Sequence, residues 1–150
     1  MFTEKKANKL FWEHYNYIIE NLIGHESTTY GNDLYIYGKK LFGDKFRGVY
    51  TSDKIPKIKQ NESMILNLDD SKHSGSHWIS VIGSNSKFYI YDSFGRNTFK
   101  IIPSLLEEYP NILMTDDDPE QKKNQSNCGQ LSLTWLLFFY KYGYKNALLI

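Results

Sequence analysis

NCGQLSLTWLLFFYKYG, residues Asn127 to Gly143, is the stretch that decides how this chain is built. From Cys128 to Tyr142 it reads as one helix, with Leu131, Leu133, Trp135, Leu136, Leu137, Phe138 and Phe139 leaving almost no polar face. A helix that is apolar nearly all round belongs in the centre of a domain rather than on its surface. Asn127 stands at the N-cap position and Gly143 at the C-terminal stop, the residue types that such ends favour.

Working outward, the elements around that helix are strands. Ser63 to Leu68 is a compact apolar run suited to a buried strand. His77 to Ile82 and Phe88 to Asp92 are two further strand-like runs, joined by Gly83-Ser84-Asn85-Ser86 in a hairpin signal. At the N-terminal side, Leu10, Phe11, Ile18, Ile19 and Leu22 recur at helical spacing, which predicts a helix over Glu4 to Leu22 with Gly24 as its stop. Gly31 to Asn61 carries glycines at 31, 38, 43 and 48 and is expected to be loops and short pieces. Pro103 opens a short helix through Leu105, Leu106 and Glu107 that closes before Pro110, and an acidic loop follows from Asp116 to Glu120. Strands followed by a buried helix give an α+β fold, and residues 1–150 form a single domain.

Composition narrows the function. With 41% hydrophobic and 23% charged residues the chain is expected to be soluble and globular, and 150 residues suffice for a core without staples. No apolar run is long enough for a membrane span, and no basic-then-apolar leader opens the sequence, so neither membrane insertion nor secretion is expected. A net charge of +1 does not mark a nucleic-acid binder, although Lys39, Lys40, Lys45, Arg47, Lys54, Lys57 and Lys59 crowd into one stretch. The single cysteine excludes an internal disulfide and leaves two roles, core filler or reactive thiol.

The second role needs an acidified thiol, because the thiolate is the nucleophile. The first position of a helix supplies part of that through unpaired N–H groups and the macrodipole, and a neighbouring imidazolium supplies the rest. Gly129 removes a side chain where a substrate backbone has to come close. The hairpin offers the imidazole. With an even connection in which Ile82 pairs with Lys87, His77 falls directly opposite Asp92, their Cβ atoms ~4.5–5.5 Å apart. A carboxylate there holds one ring nitrogen and leaves the other as base. A three- or five-residue connection would break this register.

His14, His25 and His73 are read as surface residues. Metal-ligand spacings, a GxSxG elbow and glycine-rich phosphate loops do not occur, so neither a metal nor a nucleotide cofactor is expected. Acyl transfer also needs donors aimed at the oxyanion. The Cys128 backbone N–H is one candidate, and Gln121 or Gln125 is a second.

The order of these residues resembles the adenovirus-type maturation cysteine proteases, whose relatives occur in virophages, Polinton-like elements and large DNA viruses and, more distantly, among SUMO and ubiquitin-like-protein proteases. The resemblance rests on Ser74 to Trp78, on Tyr91-Asp92-Ser93-Phe94-Gly95 and on Gln121 through Gly129, with Gly38 to Tyr50 similar to the block ahead of the histidine strand. It implies an adenain-like, papain-like fold in which helices flank a central mixed sheet and the nucleophile helix is buried. It implies His77 as base, Asp92 as third triad member, Cys128 as nucleophile and Trp78 as a shield for the histidine. Of the glutamines it selects Gln121, with Gln125 the alternative that some large-virus relatives suggest.

The implied function is a viral thiol endopeptidase, a hydrolase that processes capsid or core precursors during virion maturation. It would act as a monomer within the virion and the infected cell, in cytoplasm or nucleus. A deubiquitinating or deSUMOylating protease of the same clan is the first alternative, and a non-catalytic binding module on the same fold the second. The family also uses activators. With no second cysteine a disulfide-linked peptide is excluded, leaving a non-covalent peptide or DNA, for which Lys39, Lys40, Lys45 and Arg47 are the candidate contacts.

Overall fold

The structure, a computed structural model, describes residues 1–23, 30–68, 77–115, 119–120 and 127–150. Helix α1 spans Glu4–Asn21 and α2 Gly31–Phe42, followed by a 3-10 turn at Gly43–Lys45. Strands β1 (Phe46–Thr51), β2 (Ser63–Asn67), β3 (Trp78–Ser84) and β4 (Lys87–Tyr91) come next. Short helices α3 (Thr98–Ile101) and α4 (Pro103–Glu108) lead to β5 (Ile112–Met114), and α5 (Cys128–Tyr142) and α6 (Tyr144–Ala147) complete the order.

The strands form one mixed sheet in the order β1-β2-β3-β4-β5. The outer pairs β1–β2 and β4–β5 are parallel and the inner pairs β2–β3 and β3–β4 antiparallel. A five-stranded mixed sheet carrying helices agrees with the α+β class at that level. Alternate residues of the strands feed two cores, as the period of two requires. Ile65, Trp78, Ile82, Tyr89 and Tyr91 join α1 and α5 in the larger one, while Met64, Leu66, Ile79, Val81 and Ile90 pack with Leu105 and Tyr109 in the smaller.

The centre of the larger core is α5, where Leu131, Leu133, Trp135, Leu136 and Phe138 are fully buried. Across from it α1 buries Ala7, Phe11, Tyr15 and Ile18, one face at helical spacing, and starts at Thr3, whose hydroxyl accepts from the Lys6 N–H at 3.2 Å. Its last helical residue is Asn21, and the expected stop at Gly24 lies outside the described residues.

Two sequence expectations are corrected. Gly31 to Asn61 is not irregular throughout, since it holds α2 and β1. The glycines that suggested loops have other roles. Gly31 opens α2, Gly43 closes it, and a Cβ at Gly38 would lie 2.4 Å from the Phe46 ring, so the bare backbone is what lets that ring pack against the helix. The hairpin register is the second: the connection has two residues, one of the two expected lengths, but it lies at Asn85-Ser86, one residue further along than the expected pairing requires. Asn85 and Ser86 have φ of 52° and 60°, the double left-handed signature of a type I′ turn. Ser84 therefore pairs with Lys87, and Ile82 with Tyr89 rather than Lys87.

Candidate active site

That register does not set His77 directly opposite Asp92. The ladder last pairs Ser80 with Tyr91. Continued outward, it brings His77 level with Phe94 and Asp92 level with Ile79. The slip is two residues, so His77 and Asp92 keep the same parity and stand diagonally, within reach of long side chains. His77 Nε2 and Asp92 Oδ1 are 2.7 Å apart, a short charge-assisted hydrogen bond. The ring level with His77 is stacked on it, with Phe94 at a centroid distance of 4.6 Å and an interplanar angle of 20°.

Each member of the cluster sits at the end of an element. The His77 carbonyl accepts from the Leu68 N–H at 3.0 Å, which extends the β2–β3 edge by one step. Asp92 opens a turn in which its carbonyl accepts from Gly95 N–H at 2.9 Å, with Gly95 at φ 65°. Cys128 is the first residue of α5. All three are nearly closed off from solvent, His77 at 4%, Asp92 at 2% and Cys128 at 6% exposure.

The sulfur is tied to the histidine strand through the backbone. Trp78 N–H donates to Cys128 Sγ at 3.4 Å, and Ser132, one helical turn on, donates its hydroxyl to the Trp78 carbonyl at 3.2 Å. Two positions on one face of α5 thus grip both polar groups of a single peptide residue, which fixes the start of α5 against the start of β3. The Trp78 indole lies in the larger core and beside Gly31 of α2.

Asp92 is fully engaged. Oδ1 also accepts from Phe94 N–H at 2.9 Å, an Asx turn, and Oδ2 accepts from Arg96 Nε at 3.2 Å. Burial pushes this carboxyl up, but the hydrogen bond and charge of His77, the Phe94 N–H and the Arg96 charge outweigh it and hold Asp92 below 3.8. His77 is displaced the other way. Burial works against its charged form, yet the hydrogen bond to Asp92, the proximity of Cys128 and the charge of Asp92 raise it above 6.5. Its second nitrogen, Nδ1, is buried without a hydrogen-bond partner, so the influence of Cys128 is that of a near neighbour rather than a formed bond.

A buried imidazole clamped at Nε2 by an ionised carboxylate, with Nδ1 free and a thiol beside it, can exchange a proton with that thiol. A helix start also leaves backbone N–H groups without intrahelical partners beside the sulfur. Asn127 occupies the N-cap position but does not cap with its side chain. Its Nδ2 donates to the Tyr15 hydroxyl at 2.9 Å, tying the residue before Cys128 to α1, and its Oδ1 is buried without a partner. Gly129 is buried in the first turn of α5.

His77, Asp92, Cys128 and Trp78 are therefore brought together, whereas Gln121, Gln125, His25 and His73 lie outside the described residues. His14 is half-buried at the far end of α5, bonded through Nε2 to the Tyr142 hydroxyl at 2.8 Å. The basic stretch is divided, with Lys39 and Lys40 in the last turn of α2 and Arg47 ion-paired with Glu62 at 3.6 Å. Among the described residues no group of acidic, histidine or cysteine side chains could hold a metal ion, and no helix is long and apolar enough to cross a membrane.

Sequence reasoning missed Phe94, Arg96 and Ser132. Signals for them exist: Asp92-Ser93-Phe94-Gly95 is a turn pattern, Arg96 follows Asp92 by four residues, and Ser132 is one helical turn from Cys128 in a mostly apolar helix. No protein-family model matches this chain, and no curated protein does.

Proposed function

We propose that this chain is a cysteine endopeptidase of the adenovirus-type maturation class, cutting capsid or core precursor proteins. The observation that carries it is the 2.7 Å His77–Asp92 bond next to a helix-start cysteine, with the imidazole raised and the carboxyl lowered. The substrate class rests on the sequence resemblance.

In the reaction His77 takes the Cys128 proton at Nδ1, and the thiolate attacks the scissile carbonyl carbon. The tetrahedral oxyanion is held by the Cys128 backbone N–H and by a glutamine, Gln121 or Gln125. Each such donor is worth roughly 2.7–4 kcal/mol. As the C–N bond breaks, the imidazolium passes its proton to the leaving amine. A water, deprotonated by His77, then attacks the thioester, releasing the acid and restoring the thiol. Asp92 stays ionised throughout and keeps Nε2 as the anchored nitrogen.

Incubating the protein with the candidate precursors and mapping the products by mass tests this. Cys128→Ala should abolish cleavage while leaving the melting temperature within a few degrees. Cleavage that survives the substitution overturns the proposal.

A further inference from the structure

The Asp92 carboxylate is closed by a residue from outside the triad. Oδ1 serves His77 and the Phe94 N–H, while Oδ2, on a side chain with 0% exposure, is met by Arg96 Nε at 3.2 Å. The same guanidinium lies over the Phe94 ring, its central carbon 4.9 Å from the centroid. Phe94 in turn is stacked on His77. Arg96 therefore touches both groups that hold the imidazole, the carboxylate at its edge and the ring at its face.

We propose that Arg96 is a positioning residue for this site: by binding Asp92 Oδ2 and covering Phe94 it fixes the orientation of His77 against Cys128. The proposal rests on the cysteine-protease reading given above. Its geometric basis is the turn. Gly95 at φ 65° reverses the chain after Asp92, so a side chain four residues on returns to the carboxylate that starts the turn. Lysine cannot reproduce both contacts, because a planar fork can bond a carboxylate edge-on and lie against a ring, and an ammonium cannot.

Arg96 could act as a charge or as a clamp, and the two differ in sign. The titratable groups around Asp92 are His77 at the start of β3 and Arg96 in the turn, and Cys128 at the start of α5 faces His77. A cation acting only through its field favours the thiolate and disfavours the imidazolium. Removing it would move both edges of the pH window for a thiolate–imidazolium pair upward together. A clamp favours both ions of the pair by holding Asp92 in place. Removing it would narrow the window, its acid edge rising and its alkaline edge falling.

The test uses the full chain, whose one cysteine makes alkylation unambiguous. Iodoacetamide labelling of Cys128, followed by intact mass across pH, reads the acid edge as the onset of thiolate reactivity. The His77 imidazole titration by NMR reads the alkaline edge. Both are measured for the wild type, Arg96→Met and Arg96→Lys, with melting curves alongside. Arg96 is 42% exposed, so both variants should fold. Arg96→Met should narrow the window, the acid edge rising and the alkaline edge falling by up to about one pH unit, the bottom of the range for a charge partner because solvent reaches Arg96. Arg96→Lys should narrow it less. An unchanged profile, a parallel shift of both edges, or full recovery by lysine overturns the proposal while leaving the protease reading in place. A wild type whose Cys128 labels across pH like a free thiol removes that reading and this proposal with it.

Discussion

Helix α5 has a histidine near each end, and the two are pushed in opposite directions. At its start His77 Nε2 meets an oxygen at 2.7 Å, and near its end His14 Nε2 meets one at 2.8 Å. His77 is the more deeply buried, yet its pKa rises, whereas burial first and the charge of Lys141 second lower that of His14 against the opposing pull of Glu13. The difference lies in the partner. Asp92 is an ionised carboxylate that His77 can answer with a proton, while Tyr142 offers a neutral phenol. Depth of burial alone does not set the state of an imidazole; the charge that it meets there does.

Making the two ends alike is the strongest way to break the contrast. Asp92→Asn replaces the carboxylate with a neutral amide, and His77 should then titrate lower by NMR. Hydrolysis of any precursor should fall by roughly 10²–10⁴, the range in which general acid–base partners and triad orienters act. Unchanged turnover would show that Asp92 does not serve the imidazole.

Stability gives a second view of the same pair. His77 has a raised folded pKa, so its contribution is fully present below 6.5 and is lost as pH rises through the raised value. Asp92 and His14 are lowered, so theirs are present above their ordinary values and lost as pH falls through the folded ones. Melting temperature measured against pH should therefore decline at both ends, and Asp92→Asn should flatten the alkaline decline. A variant with the alkaline slope of the wild type would contradict the assignment.

At the other end the effect should be small. Tyr142→Phe keeps the ring against Phe2 and Phe138 and removes only the hydroxyl that His14 meets. Denaturant melts should show a loss of about 0.5–1.5 kcal/mol, the worth of one ordinary hydrogen bond, with turnover unaffected. A large loss of activity would mean that the two ends of α5 are coupled in a way these contacts do not explain.

Much of this arrangement was legible in the chain. The span of α5 follows from its all-round apolar surface and from Gly143, and β2, β3 and β4 follow from their apolar runs. His77 and Asp92 stayed within reach of each other despite a wrong register because the slip was only two residues. What sequence could not give is which even connection the hairpin adopts, since that depends on Asn85 and Ser86 both accepting positive φ. α2 was hidden for a different reason. Gly38 reads as a helix breaker until the Phe46 ring that fills its place is known, and that contact joins two elements. Arg96 was missed because its value lies in touching Asp92 and Phe94 together, which only the folded turn shows.

The most direct measurement of the Cys128–His77 unit is the iodoacetamide labelling rate of the sole cysteine at pH 6 in the wild type and in His77→Ala. A free thiol is almost wholly protonated there, so loss of the imidazolium should slow labelling on the order of tenfold to a hundredfold. Equal rates in the two proteins would mean that His77 does not activate Cys128.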